Sequence, residues 1–172
     1  MGSEMCIRDS ASPTLFGGRT AAGRASAVSA FGGSEVGQQA LQKALWWLKK
    51  VQNPDGSWGK NQKTSMTSLA VLTFLAHGET TLSKNFGKCV QTGIEWLCNV
   101  VKKSNGKIIH ENSYDNSSRS VYSHGLVAYA LSEATAMIGA SQIEAAMNKA
   151  ICLLYTSPSP RDRTRSRMPS SA

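Results

Sequence analysis

Cysteine is scarce, with four in 172 residues, and their spacing excludes a disulfide framework. Cys6 and Cys152 lie in the two end segments. Cys89 and Cys98 fall in one predicted helix, nine positions apart, which turns them about 180° and separates them by about 13 Å. They can neither bridge nor share a metal, and two unpaired thiols point to a reducing compartment. Long apolar runs are also missing. No stretch reaches the roughly 18 residues that a bilayer span requires, so no membrane helix is expected within the sequence, while a signal or anchor upstream stays open. Acidic residues are few, 11 against 19 basic, for a formal charge of +8.

The charge is unevenly placed. Cys152–Ala172 holds four arginines against Asp162, or +3, and Met1–Ser10 contributes −1, which leaves +6 for Ala11–Ile151. Both ends lack an apolar period and resemble translated sequencing-adapter read-through joined to a genuine frame; such segments are left out of fold reasoning. The expected divisions are therefore an artefactual 1–10, a linker over 11–37, a helical repeat domain over 38–151 and an artefactual tail over 152–172. The Arg161–Arg167 run falls in that tail, so it does not argue for nucleic acid. Elsewhere Lys49, Lys50, Lys102 and Lys103 sit at predicted helix C-termini, where they complement the macrodipole. No nucleic-acid partner is expected.

Ala11–Gly37 is rich in Gly, Ala and Ser, has few branched residues for a core, and reads as a flexible linker. A helical period follows: Leu41, Ala44, Leu45, Leu48 and Val51 make one apolar stripe. In Thr64–Gly78 the middle, Leu69–Ala76, is apolar on nearly every side apart from Thr73, with Gly78 as the stop, and a helix of that kind needs cover all round. The same order then returns. Val90, Ile94, Leu97 and Val101 form a second stripe, and Ser120–Ile138 a second apolar helix. LQKALWWL at Leu41–Leu48 aligns with VQTGIEWL at Val90–Leu97, offset by 49, and MTSLAVLTFL at Met66–Leu75 with YSHGLVAYAL at Tyr122–Leu131, offset by 56. A third start, MNKAI, stands at Met147–Ile151. A period near 50 with two helices per unit marks a helical repeat array. Alternation of half-buried with fully buried helices favours a closed double ring, amphipathic helices outside and apolar ones inside.

Between the first pair stands QNPDGSWG, Gln52–Gly59. Asn53-Pro54-Asp55-Gly56 suits a β-turn, Pro setting φ at its second position. Gln52 can satisfy free backbone N–H groups at a neighbouring helix start, and Trp58 can cover the corner while its indole N–H finds a carbonyl. With the preceding residues, WLKKVQNPDGSWG resembles the QW motif of the terpenoid-cyclase and protein-prenyltransferase superfamily, the prenyltransferase/squalene-oxidase repeats. The likeness extends over Val36–Ile151, is most specific at Gln52, Asp55, Gly56 and Trp58, and weakens in the second repeat, where SNGKI at Ser104–Ile108 replaces the turn. It implies an all-α fold, an (α/α) toroid of which about two and a half hairpins are present. It also implies a structural role for those four residues. Two and a half repeats cannot close a ring, so the inner helices are expected to expose apolar surface and the isolated chain to aggregate.

The chemistry that the resemblance would imply is absent from the sequence. There is no DxDD acid motif, no aspartate-rich diphosphate site, no Asp-x-Cys zinc pair and no Cys-Gly-Glu-Gln thioester. No cofactor or metal is expected. The remaining catalytic candidates are Glu111 and Asp115 in the polar loop HENSYDNSSR (His110–Arg119) and His124 at the start of an inner helix; each could act as acid or base at a cavity mouth. The competing readings are a solvated loop and a hydrogen-bonded structural histidine. His77 reads as a charge partner at a helix C-terminus, and Glu133 as the one carboxylate within an inner helix. Two functions follow. One is a non-catalytic binding or scaffold module of toroid form. The other is a fragment of an isoprenoid-processing enzyme whose catalytic residues lie in missing repeats. A hydrophobic or isoprenoid ligand suits either, a protein partner is compatible, and the expected location is cytoplasmic or membrane-tethered through an upstream segment.

Overall fold

The stripe Val90, Ile94, Leu97, Val101 is buried throughout, no member above 2% exposed, and it organises the chain. It lies along helix α4, Gly87–Lys103. The computed structural model describes residues 16–106 and 118–156, and among them every regular element is helical. The others are α1 (Ala21–Phe31), α2 (Glu35–Lys50), α3 (Lys63–Ala76), α5 (Ser118–Ile138) and α6 (Ser141–Thr156), with a 3-10 turn at Gly17–Arg19. The protein is all-α.

Local signals explain several boundaries. Ser34 caps α2 by accepting from the Gly37 N–H at 3.1 Å, Glu35 stands in its first turn and Lys49 and Lys50 in its last, each on the side of the macrodipole that favours it. α3 ends in a Schellman arrangement: Gly78 N–H donates to the Leu75 carbonyl and Glu79 N–H to that of Phe74, both at 2.9 Å. α6 runs through Cys152 to Thr156, past the boundary expected at Ile151.

The helices form two layers. α3 and α5 lie side by side and run the same way. Near their starts the Ser65 and Ser123 hydroxyls are 2.7 Å apart, and near their ends the Arg19–Arg24 segment reaches both, Arg19 bonding Glu133 and Arg24 the His77 carbonyl. α4 packs behind both of them and α6 behind α5 and beside α4. Phe74, Val71 and Leu75 of α3, Val127 and Leu131 of α5, and Ile143 and Ala150 of α6 close the core against the α4 stripe.

Three sequence expectations change here. α3 is not covered all round: Met66 and Leu69 are 47% and 44% exposed, because α2 barely touches one flank and no described element covers the side away from α4. In α2 itself only Leu45 is buried, and Leu41 and Val51 stay exposed. That helix stands at the edge of its layer, held by the Trp46–Phe86 ring contact (5.1 Å) and the Lys49 bond to the Asn85 carbonyl (2.6 Å). Finally, part of the stretch expected to be a flexible linker is helical. Thr20 caps α1 at the Gly23 N–H (3.0 Å) and Gly32 terminates it. No α1 residue is buried. The segment is anchored instead by its arginines, with Arg19 2.6 Å from Glu133 and stacked on Phe16 at 4.8 Å.

Candidate functional site

Two features merit attention as sites: the Gln52–Trp58 corner and the open face of the inner layer. The corner is a hydrogen-bonded β-turn. Gly56 N–H donates to the Asn53 carbonyl at 2.9 Å and Asn53 N–H to that of Ser57 at 2.8 Å. Gly56 has φ 87°, and a Cβ there would stand 2.6 Å from the Thr92 carbonyl oxygen of α4, so both conformation and space require glycine. Asn53 Nδ2 also donates to Ser57 Oγ (3.1 Å) and the Gly59 carbonyl (3.0 Å).

Gln52 acts as a donor, the reverse of the role expected for it. Its Nε2 lies 2.9 Å from the Gly56 carbonyl, 3.0 Å from that of Cys89 and 3.0 Å from Thr92 Oγ1. The amide meets the flank of α4 past its first residues, where carbonyls and a hydroxyl are on offer and the free N–H groups of the helix start are out of reach. Trp58, 3% exposed, ties the other side. Its indole N–H donates to the Leu48 carbonyl at 2.8 Å and its backbone N–H to Thr67 Oγ1 at 2.9 Å. The ring lies on Gly93, where an added Cβ would approach the ring to 2.8 Å, and against Phe74 at 6.2 Å between centroids. One corner thus joins the end of α2, the start of α3 and the side of α4.

Asp55 completes the turn. Its Oδ1 accepts from Ser57 Oγ (2.6 Å) and Ser57 N–H (3.0 Å), and its Oδ2 pairs with Lys63 at 2.9 Å. The Ser57 hydroxyl first, then Lys63, hold the carboxyl down to about 2. A carboxylate with a lowered folded value adds stability that is present above its ordinary value and lost as pH falls through the folded one. Asp55→Asn is therefore expected to lower stability at neutral pH. With the side chain 45% exposed, the loss is about 0.5–1 kcal/mol. In denaturant midpoints measured against pH, the gap to the parent chain should be constant above about pH 4 and close toward pH 2. A gap that widens on acidification would contradict this account of the turn.

The open face lies on α3 and α5, on the side away from α4. Leu69 and Ala76 of α3 and Tyr122, Tyr129 and Ala136 of α5 are exposed along it, Tyr122 by 69% and Tyr129 by 54%. It is apolar and aromatic, with Glu133 paired to Arg19 at one end.

The catalytic candidates fare differently. Glu111 and Asp115 lie outside the described residues. His124 is buried, and its Nε2 lies 2.8 Å from the Ala150 carbonyl. A carbonyl can only accept, so Nε2 carries the proton. The imidazole ties α5 to α6 on the side opposite Tyr122 and Tyr129. His77 is buried beside Glu79, its Nδ1 3.1 Å from the carboxylate, at the C-terminus of α3 as expected. Burial pushes both helix thiols up, Cys89 and Cys98 each to about 11, so neither is a thiolate at neutral pH. No three His, Cys, Asp or Glu converge as a metal site among the described residues, and no helix there is long and apolar enough to cross a membrane. Thr67, Thr92 and Gly93 were missed from sequence. Gly93 alone left a signal, a missing side chain inside the repeat-aligned VQTGIEWL.

Part of the chain resembles a known protein in sequence. The chain is 36% identical over 73 residues to the squalene–hopene cyclase of Zymomonas mobilis, a match covering 34% of this chain and 10% of that enzyme. It thus spans about a tenth of the relative's length. No protein-family model and no solved structure matches the chain. The likeness, together with the fold, supports a terpenoid-cyclase-like helical domain.

Proposed function

We propose that the chain is part of an (α/α) toroid of QW-type repeats and works as a binding or scaffold module. In this reading α2, α4 and α6 belong to the outer ring and α3 and α5 to the inner one. Gln52, Asp55, Gly56 and Trp58 brace adjacent hairpins, and the Leu69, Tyr122 and Tyr129 face forms part of the wall of an apolar cavity. The observation that carries it is the parallel pairing of α3 and α5 with an aromatic face turned away from α4. Such a face suits a long apolar ligand of isoprenoid type, held by burial of its hydrocarbon. A second reading, a fragment of an isoprenoid-processing enzyme whose catalytic residues lie elsewhere in a longer protein, is favoured by the similarity to squalene–hopene cyclase.

The test is titration of the chain with dansylated farnesol, which has no diphosphate, followed by energy transfer from tryptophan. Saturable transfer is expected, weakened about tenfold or more by Tyr129→Glu, the equivalent of at least 1.4 kcal/mol, and unchanged by Val36→Glu at the exposed start of α2. Absence of saturable transfer, or indifference to the Tyr129 change, would remove the ligand-wall reading. Consumption of squalene by the chain would replace the module with the enzyme.

A further inference from the structure

The aromatic face of α5 is already occupied at one end. Tyr122, Leu126, Tyr129, Glu133 and Met137 follow one another at steps of three or four residues, which sets them in a single stripe along the helix. The last two positions are taken by Arg19. Its guanidinium lies 2.6 Å from the Glu133 carboxylate and 3.3 Å from Met137 Sδ. The same segment rests on the end of α3. A Cβ on Gly78 would collide with the Arg19 carbonyl, and Arg24 donates to the carbonyls of Arg19 and His77. Residues 16–24 therefore cross the C-terminal ends of both helices like a strap. What holds the strap is polar. α1, which continues it, buries no residue, and the Arg19–Glu133 side chains are still 29% and 19% exposed. Such a pair holds weakly, so the strap can lift without opening the core beneath it.

We propose that residues 16–24 are an autoinhibitory strap on the apolar face. Docked, the strap fills the stretch at Glu133 and Met137 and leaves a ligand about 10 Å of α5 between Tyr122 and Tyr129. Released, it frees the stripe as far as Met137, about 22 Å along the helix. A long apolar chain and the strap then compete for the same turns of α5. The apparent affinity for the ligand is reduced to the fraction of molecules whose strap has lifted. This inference rests on the ligand-wall reading and supplies the regulation of that wall. A segment that merely braced the wall would act in the opposite direction, since loosening a brace weakens binding and loosening the strap strengthens it.

Arg24→Ala tests it on the full 172-residue chain, because Arg24 bonds the end of α3 and not the stripe on α5. Loosening the strap there should tighten dansylated farnesol about threefold or more in tryptophan energy transfer. Glu133→Gln breaks the hold from the other side and should act alike. Release is read separately with trypsin, which needs a free guanidinium. Cleavage after Arg19 in the Arg24→Ala chain, and after Arg24 in the Glu133→Gln chain, should be about threefold or more faster than in the parent. Saturating ligand should speed cleavage of the parent as well, since the competition is reciprocal. Binding that weakens in both variants, with circular dichroism unchanged, would make the segment a brace and overturn the proposal. Cleavage no faster in either variant would overturn it too. Faster cleavage with unchanged affinity would overturn the strap alone and leave the ligand wall standing. If neither parent nor variants bind while cleavage shows the strap lifted, the ligand wall itself fails and the inference falls with it.

Discussion

Replacing Trp58 by alanine is expected to remove about 3–5 kcal/mol of stability, the usual loss for a large aromatic taken from a tight core. A domain of this size holds only about 5–15 kcal/mol in total, so the variant should be barely folded at room temperature. Three losses act together at this residue. The ring leaves Gly93 and Phe74 facing a void, the Leu48 carbonyl loses its indole donor at 2.8 Å, and the α2–α3 hairpin loses its link to α4. Trp58→Phe separates them. It restores much of the apolar volume but leaves the carbonyl without its indole donor, for a cost of about 1–2 kcal/mol. Urea midpoints of the three chains measure the division. A Trp58→Ala protein within about 1 kcal/mol of the parent would mean that the hairpin is held elsewhere, for which Gln52 on Cys89 and Thr92, Lys49 on Asn85 and Trp46 on Phe86 are among the remaining contacts.

How far the sequence led depends on how local each determinant is. The α4 stripe was legible because Val90, Ile94, Leu97 and Val101 repeat on one face and all four are buried. The turn at Asn53–Gly56 was legible from Pro and Gly alone, and the end of α3 from Gly78. Cover was not legible. Leu41 and Val51 have the right period but lie exposed, because a stripe states which residues could be buried and not whether a neighbour is there to bury them. α1 was hidden by composition, since Ala, Ser and Gly suggest a linker, although Thr20 and Ser34 are good helix caps. The Arg19–Glu133 pair joins residues 114 positions apart, and nothing in either neighbourhood announces the other. For Gln52 the residue was right and the direction wrong, because whether an amide donates or accepts depends on which part of α4 it meets. His124 shows the same limit. Its place in the helix that became α5 was readable, but its partner, the Ala150 carbonyl, belongs to α6.

The Trp58–Gly93 contact gives the other large effect. A methyl group at Gly93 would stand 2.8 Å from the indole and 3.0 Å from Val71. Neither neighbour can retreat easily, since Trp58 is fixed by its bonds to Leu48 and Thr67 and Val71 is fully buried. Gly93→Ala is thus expected to cost about 1–3 kcal/mol by overpacking, even though alanine is the better helix former by about 1 kcal/mol. In the Trp58→Ala background the sign should reverse. With the ring gone, the added methyl meets only Val71, which can now shift toward the vacated space, so the helix preference of alanine prevails. The double-mutant cycle should return a coupling of about 2–3 kcal/mol, within the range found for residues in direct contact. Additive effects would place Gly93 outside the brace, and the corner would then hold α4 only through Gln52 and the Gly56–Thr92 approach. A large coupling would instead make a glycine in the second hairpin and a tryptophan in the first a single packing unit. Under the proposed repeat architecture, the stability of the whole resides in such nearest-neighbour contacts.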